Sequence, residues 1–368
     1  MTAGDRTIAA ILSQRGSEEP ERAALEAPGR TPISFRELDA TVRRAGAALR
    51  ERGIAHGDRV AVVLPNGPEM ASAFLAVAAA ATCAPLNPAF REDDFAFSFE
   101  DLRVKAVLLG SDPVPAALGA ARRLALPVLP GGWGADAPAG LCELGGGAVA
   151  GPAPAEDARP DDVALVLHTS GTTARPKIVP LTHRNLCASA ANIRHSLALG
   201  PSDVCLNVMP LFHIHGLMAA LLGSVDAGAR VVCTGGFRAT ELAGWLRDFA
   251  PTWYTAVPTI HQAVLQAIRQ SDPPGRAGGA DRDGPFESHL RFVRSSSAAL
   301  PLRVLRELEE AVGVPVIEAY GMTEASHQMA SNPLAPGARK PGSVGPAAGP
   351  EIAVVDASRR LPTGGAAG

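Results

Sequence analysis

Residues 35–64 read FRELDATVRRAGAALRERGIAHGDRVAVVL, and two kinds of segment meet inside them. Over 35–52, apolar residues recur on one side among charges, which predicts an amphipathic helix. The run RVAVVL at 59–64 is β-branched and bounded by turn residues, which predicts a strand. The succession repeats where 101–103 leads into VKAVLL at 104–109, and similar runs stand at 164–167, 230–233, 290–294 and 314–317. Helices alternating with apolar strands predict an α/β fold of two αβα-type units with mostly parallel, buried sheets.

Composition bounds what such a fold can do. Hydrophobic residues make up 46% and charged residues 19% of the 368, as in a folded globular protein, and 38 Gly with 32 Pro imply many short turns. The Gly/Ala/Pro-rich stretches 129–160 and 271–285 are expected at the surface, and the first separates an N-terminal α/β subdomain (1–160) from a second one (161–342). A formal net charge of -3 offers no basic stripe for nucleic acid, so small-molecule chemistry is favoured. The five cysteines are odd in number, widely spaced and free of CxxC pairs, which argues against a disulfide framework or a zinc site. The longest apolar stretch, 71–85, is about 15 residues, short of the roughly 20 that span a bilayer, and the N-terminus lacks a signal-peptide core. No membrane association and a cytoplasmic location are expected.

The chemistry concentrates in three segments. At 165–177, LVLHTSGTTARPK, a strand runs into small hydroxylic residues, a glycine and a lysine. Thr169, Ser170, Gly171, Thr172, Thr173 and Lys177 can wrap a polyphosphate, with hydroxyls and open backbone N–H groups donating and the lysine supplying charge. The spacing is not that of a Walker loop, because Pro176 ahead of Lys177 forces an extended link where a helix would start. The second segment, RSSSAALP at 294–301, is a small-residue turn that lets backbone approach a flat base. In the third, EAYGMTE at 318–324, Tyr320 can stack on that base, Thr323 can donate to a phosphate, and Glu324 can ligate Mg²⁺ as a hard oxygen donor. Taken alone, YGMTE also suits a helix start capped by Thr323. Joint occurrence in this order favours the nucleotide reading.

The first segment resembles the TSGTTGxPKG loop of the adenylate-forming superfamily of acyl-CoA synthetases, firefly-type luciferases and peptide-synthetase adenylation domains, with Ala174 and Ile178 replacing two glycines. The third resembles its YGxTE motif, and GSVGP at 342–346 with 354–356 resembles the next, which opens a small β-barrel expected over 343–368. The resemblance implies ATP as substrate, with Lys177 and its loop on the β- and γ-phosphates, Thr323 on the α-phosphate and Glu324 as the Mg²⁺ ligand. It implies an adenine site of Ser297, Ala298, Ala299, Glu318, Ala319 and Tyr320. An acid would be joined to AMP and passed to CoA or to a phosphopantetheine carrier. Relatives continue past the point where this sequence stops, with a small domain bearing a catalytic lysine, so a separate C-terminal part or a carrier protein is an expected partner.

Which acid is read from residues 209–216, MPLFHIHG. Amino-acid-activating relatives carry Phe-Asp where this chain has Phe212 and His213, and an imidazole cannot replace the carboxylate that pairs an ammonium group. A non-amino carboxylic acid is therefore expected, with His213 in the catalytic set and His215 more suited to packing. PLFHIHG at 210–216, WYTAVPTIH at 253–261 and TEASHQMASNP at 323–333 resemble oxalate–CoA ligases. That resemblance implies a pocket of His213, Ser297, Gly321, Met322 and His327, with Arg339 or Lys340 adding charge for a small dianion. The alternatives are a non-catalytic nucleotide-binding protein and a starter-acid adenylation domain of an assembly line.

Overall fold

In a computed structural model the structure describes residues 5–134, 136–144, 158–169, 176–270, 288–353 and 355. The helix expected over 35–52 forms as Phe35–Glu51 and starts on a capping box, in which Ser34 Oγ accepts from the Glu37 amide and the Glu37 carboxylate accepts from the Ser34 amide. Its buried face is Phe35, Leu38, Val42, Ala45 and Leu49. The apolar stretch 71–85 divides between the helix Pro68–Ala80, nearly all of whose residues are buried, and a strand, Thr82–Pro85. No helix among the described residues is long and apolar enough to cross a membrane.

Among the described residues, fifteen strands follow in chain order. They are β1 (Ala23–Ala27), β2 (Arg30–Ser34), β3 (Arg59–Val63), β4 (Thr82–Pro85), β5 (Ala106–Gly110), β6 (Val128–Gly132) and β7 (Glu143–Leu144), then β8 (Val163–Thr169) and β9 (Lys177–Thr182). The rest are β10 (Val204–Asn207), β11 (Arg230–Cys233), β12 (Trp253–Ala256), β13 (Phe292–Ser295), β14 (Val316–Met322) and β15 (His327–Ser331). One sheet runs β7-β6-β5-β3-β4-β8-β9 and the other β15-β14-β13-β12-β10-β11-β1-β2. Both are parallel through the middle and close with an antiparallel strand at each edge. Helices cover the sheets, as apolar central strands require.

Sheet membership crosses residue 160 in both directions: β1 and β2 stand in the second sheet, and β8 and β9 stand in the first. Within 129–160, expected to be surface, β6 forms because the neighbouring β5 offers a row of backbone partners, and β7 in turn pairs with β6. The β-barrel expected over 343–368 shows no strand at 351–353 or 355. Those residues are exposed, and among the described residues no strand lies beside them to pair their amides. No closed barrel is present among the described residues, and 356–368 lie outside them.

Candidate active site

β12 and β13 end in register at Ala256 and Ser295 while β14 runs on past Glu318 to Met322, and the segments leaving these ends form the candidate site, the position where parallel sheets bind ligands. Thr255 and Arg294 pair across β12 and β13, so their side chains share one face of the sheet. Over that face lies a π-helix, His215–Leu222, whose first glycine, Gly216, has no room for a side chain: a Cβ would stand 2.4 Å from the Pro210 carbonyl oxygen. Such π segments recur at functional sites because they re-aim one side chain. Here that side chain is His215.

A buried polar cluster results. His215 Nε2 lies 2.6 Å from Thr255 Oγ1 and its Nδ1 lies 3.0 Å from Ser297 Oγ. The ring stacks on His327 with centroids 4.9 Å apart. Arg294 is completely buried, and its Nη1 donates to Thr255 Oγ1 at 3.3 Å and to His327 Nε2 at 3.1 Å. Its Nη2 donates to Gln328 Oε1 at 3.3 Å. Every one of these partners is neutral, and Arg294 Nε is buried with no partner among the described residues. Burial pushes the guanidinium down to about 10, which still leaves it charged at neutral pH. Burial first, and then the Arg294 charge, hold His215 and His327 well below the ordinary histidine value. Both imidazoles are therefore neutral, and His327 must carry its proton on Nδ1, since an arginine N–H can only donate to its Nε2.

Three site residues take left-handed backbone, Ser297 with φ 72°, Ser326 with φ 54° and His327 with φ 92°. Non-glycine residues there cost on the order of 1–3 kcal/mol each and persist where surrounding contacts fix them. The contacts are visible: Ser189 of the helix His183–Ser196 donates to the Ser326 carbonyl at 2.6 Å. Gly321 allows the β14–β15 hairpin to close, because a Cβ at 321 would lie 1.8 Å from the His327 carbonyl oxygen.

Around this cluster the nucleotide candidates are more exposed. Ser297, Ala298 and Ala299 are exposed at the end of β13, and Tyr320 and Met322 are 45% and 40% exposed on β14. Thr323 and Glu324 sit on a single 3₁₀ turn, Thr323–Ala325, and so do not start an α-helix. Glu324 is exposed and is in no hydrogen bond or ion pair among the described residues. Ala319 is buried, and the Glu318 carboxylate accepts from the Gly342 amide at 2.7 Å, which directs it into the 342 turn. Thr169 and Lys177 face each other as the last pair of the antiparallel β8–β9 hairpin, which packs on the 323–325 turn. Ser170, Gly171, Thr172 and Thr173 lie outside the described residues.

The structure places the remaining pocket candidates elsewhere. His213 is exposed, with its ring 4.6 Å from that of Phe212 and outside the hydrogen-bonded cluster. Lys340 is exposed, with its backbone amide on Asn332 Oδ1. Arg339 is taken by the Glu309 carboxylate and the Val316 carbonyl, so it cannot serve as the pocket's cation. The cation buried beside the nucleotide candidates is Arg294, with Thr255, His327 and Gln328 bonded to it. A charged side chain inside the apolar run LRFVR was the available signal.

The AMP-binding enzyme family model matches residues 12–368. The oxalate–CoA ligase of Arabidopsis thaliana is 40% identical over 364 residues, covering 95% of this chain and 67% of that protein. The sulfoacetate–CoA ligase of Cupriavidus necator is 32% identical over 353 residues, covering 95% of this chain and 66% of that protein. Among solved structures, ATP-bound MatB from Rhodopseudomonas palustris superimposes with a TM-score of 0.77 at 27% identity, covering 97% of this chain and 68% of that one. The chain thus spans about two thirds of the length of the relatives it matches. With the β8–β9 pair, the YGMTE turn and the two mostly parallel sheets in place, the chain belongs to the AMP-binding enzyme family of adenylate-forming ligases.

Proposed function

We propose that the protein activates a small acid bearing two anionic groups, of the oxalate or malonate class, as its acyl-adenylate and passes the acyl group to CoA. The observation that carries this reading is Arg294: a fully buried cation beside the nucleotide candidates whose partners are all neutral and whose Nε is unpaired among the described residues. A buried charge without a counter-ion is costly, and a ligand carboxylate would remove that cost. The same cation repels the ammonium group of an α-amino acid. The two relatives named above act, by their names, on acids with two anionic groups, which supports the same class.

In this reading Arg294, with His327 and Ser297 near it, grips one anionic group and leaves the other carboxylate to react. A carboxylate oxygen attacks the α-phosphorus of ATP; the new P–O bond forms as the bond to pyrophosphate breaks and pyrophosphate leaves with the electron pair. Attack by the CoA thiol on the acyl carbon then releases AMP. Tyr320 stacks on the adenine, Thr323 donates to the α-phosphate, and Lys177 with the 169–173 hydroxyls neutralises the departing pyrophosphate. Mg²⁺ fits the Glu324 carboxylate, which is in no hydrogen bond or ion pair among the described residues, because this ion is commonly held by one or two carboxylates together with substrate phosphates; among the described residues there is no cluster of three ligands to suggest a protein-enclosed metal. Bound there, Mg²⁺ would offset phosphate charge.

The test is acid-dependent ATP–pyrophosphate exchange with the full-length protein. Oxalate or malonate is expected to exceed acetate and propionate by roughly 10- to 100-fold in kcat/KM, the worth of one charge-assisted hydrogen bond. Equal or better exchange with a monocarboxylate or an α-amino acid would overturn the reading.

A further inference from the structure

Of the three neutral groups that hold Arg294, Gln328 is the one tied most widely into the scaffold. It is buried, and its Nε2 donates to Ser196 Oγ at 2.9 Å and to the Ala348 carbonyl at 3.3 Å. A carbonyl oxygen can only accept, so the amide orientation is fixed by chemistry: the nitrogen faces Ala348 and the oxygen faces the Arg294 guanidinium. Ser196 is the last residue of the helix His183–Ser196, whose Ser189 also holds the Ser326 turn. One helix therefore sets both the strained turn and the aim of the arginine.

Gln328 matters as much for what it lacks. Glutamate has the same shape, and its carboxylate would meet the same guanidinium and neutralise it from within the protein. We propose that Gln328 determines the acid specificity of the site: its amide orients Arg294 through a neutral acceptor, which leaves the arginine's charge for the second anionic group of the substrate. This rests on the reading of Arg294 as the group that receives that anion. Gln328 is a positioning residue; it acts through Arg294 and touches no reacting atom.

The experiment is calorimetric titration of malonate and propionate, with a non-hydrolysable ATP analogue present, into the parent protein, Gln328→Glu and Gln328→Met. AMP affinity and melting temperature report whether each variant is folded. The parent is expected to bind malonate more tightly than propionate. Gln328→Glu is expected to weaken malonate by roughly 30-fold or more while leaving propionate within about 3-fold, since only the second anion competes with the new carboxylate. Gln328→Met keeps the volume and frees the guanidinium, and should weaken malonate by about 3- to 10-fold with propionate unchanged. If the parent prefers malonate and Gln328→Glu keeps that preference, the inference about Gln328 falls while the role of Arg294 stands. If the parent itself shows no preference, the reading of Arg294 falls and takes this inference with it. Should Gln328→Glu fail to fold, Gln328→Met decides: selective loss of malonate supports the proposal, and equal loss of both acids overturns it.

Discussion

Replacing Arg294 with methionine separates a binding role from a structural one, because the two predict opposite balances of stability and affinity. The side chain is fully buried and its three bonds run 3.1 to 3.3 Å, all to neutral groups. Cutting one partner of a buried ion pair costs about 3–5 kcal/mol because a charge is stranded. Here truncation strands none. It forfeits three long hydrogen bonds at about 1 kcal/mol each, and it removes a buried cation whose desolvation costs several kcal/mol. Folding stability is therefore expected to stay within about 2 kcal/mol of the parent in urea denaturation. Malonate binding, which would lose a charge-assisted hydrogen bond to its second carboxylate, is expected to weaken by about 1.5–3 kcal/mol, ~10- to 10²-fold in Kd. Propionate and AMP should bind nearly as before. Equal weakening of malonate and propionate, or a stability loss above about 3 kcal/mol, would refute the reasoning and make Arg294 a structural residue.

Gly321→Ala is expected to destabilise the protein by about 1–3 kcal/mol and to abolish malonate binding, because the added methyl meets the His327 carbonyl and must push β15 off β14; melting and calorimetry check it. Glu324→Gln should weaken the Mg²⁺-dependent part of ATP binding and leave AMP binding unchanged, while equal loss for both nucleotides would deny the metal role. Stability should fall as pH is lowered. His183 and His261 are pushed down to about 4, chiefly by burial, and His215 and His327 also lie well below the ordinary value. Their neutral forms are favoured by folding, so this contribution is complete above about pH 6.5 and is lost progressively toward pH 4, by several kcal/mol in all. Chemical denaturation at pH 7.5 and pH 5 measures the difference, and a flat profile would contradict it.

The α/β alternation was legible because central parallel strands are buried on both faces and leave apolar runs, as at β3, β5 and β11. Strands made by backbone pairing alone were not: β6 ends in Gly131 and Gly132, which look like loop until β5 is placed beside them. The same limit applies to the site. The 294–301 turn and the 318–324 motif are contiguous, so their chemistry can be read along the chain. The polar cluster proposed to receive the acid is gathered from four separate stretches, with His215, Thr255, Arg294 and Gln328 meeting only once the strands are in register. His213 looked like the pocket histidine from its position in the motif, yet the turn into the π-helix carries His215 to the cluster and leaves His213 exposed.

The crossed membership of the two sheets bears on how the protein comes off the ribosome. Leu25 of β1 pairs with Val231 of β11, so the other edge of β1 has no strand partner for roughly 200 residues of synthesis, about 10–40 s at ordinary elongation rates. During that wait the edge of β1 that will meet β11 stays unpaired. The first sheet is likewise incomplete until β8 and β9 arrive at residues 163–182. Neither half can close on its own, which makes nascent chains halted between these points clients for chaperones that recognise exposed strand edges.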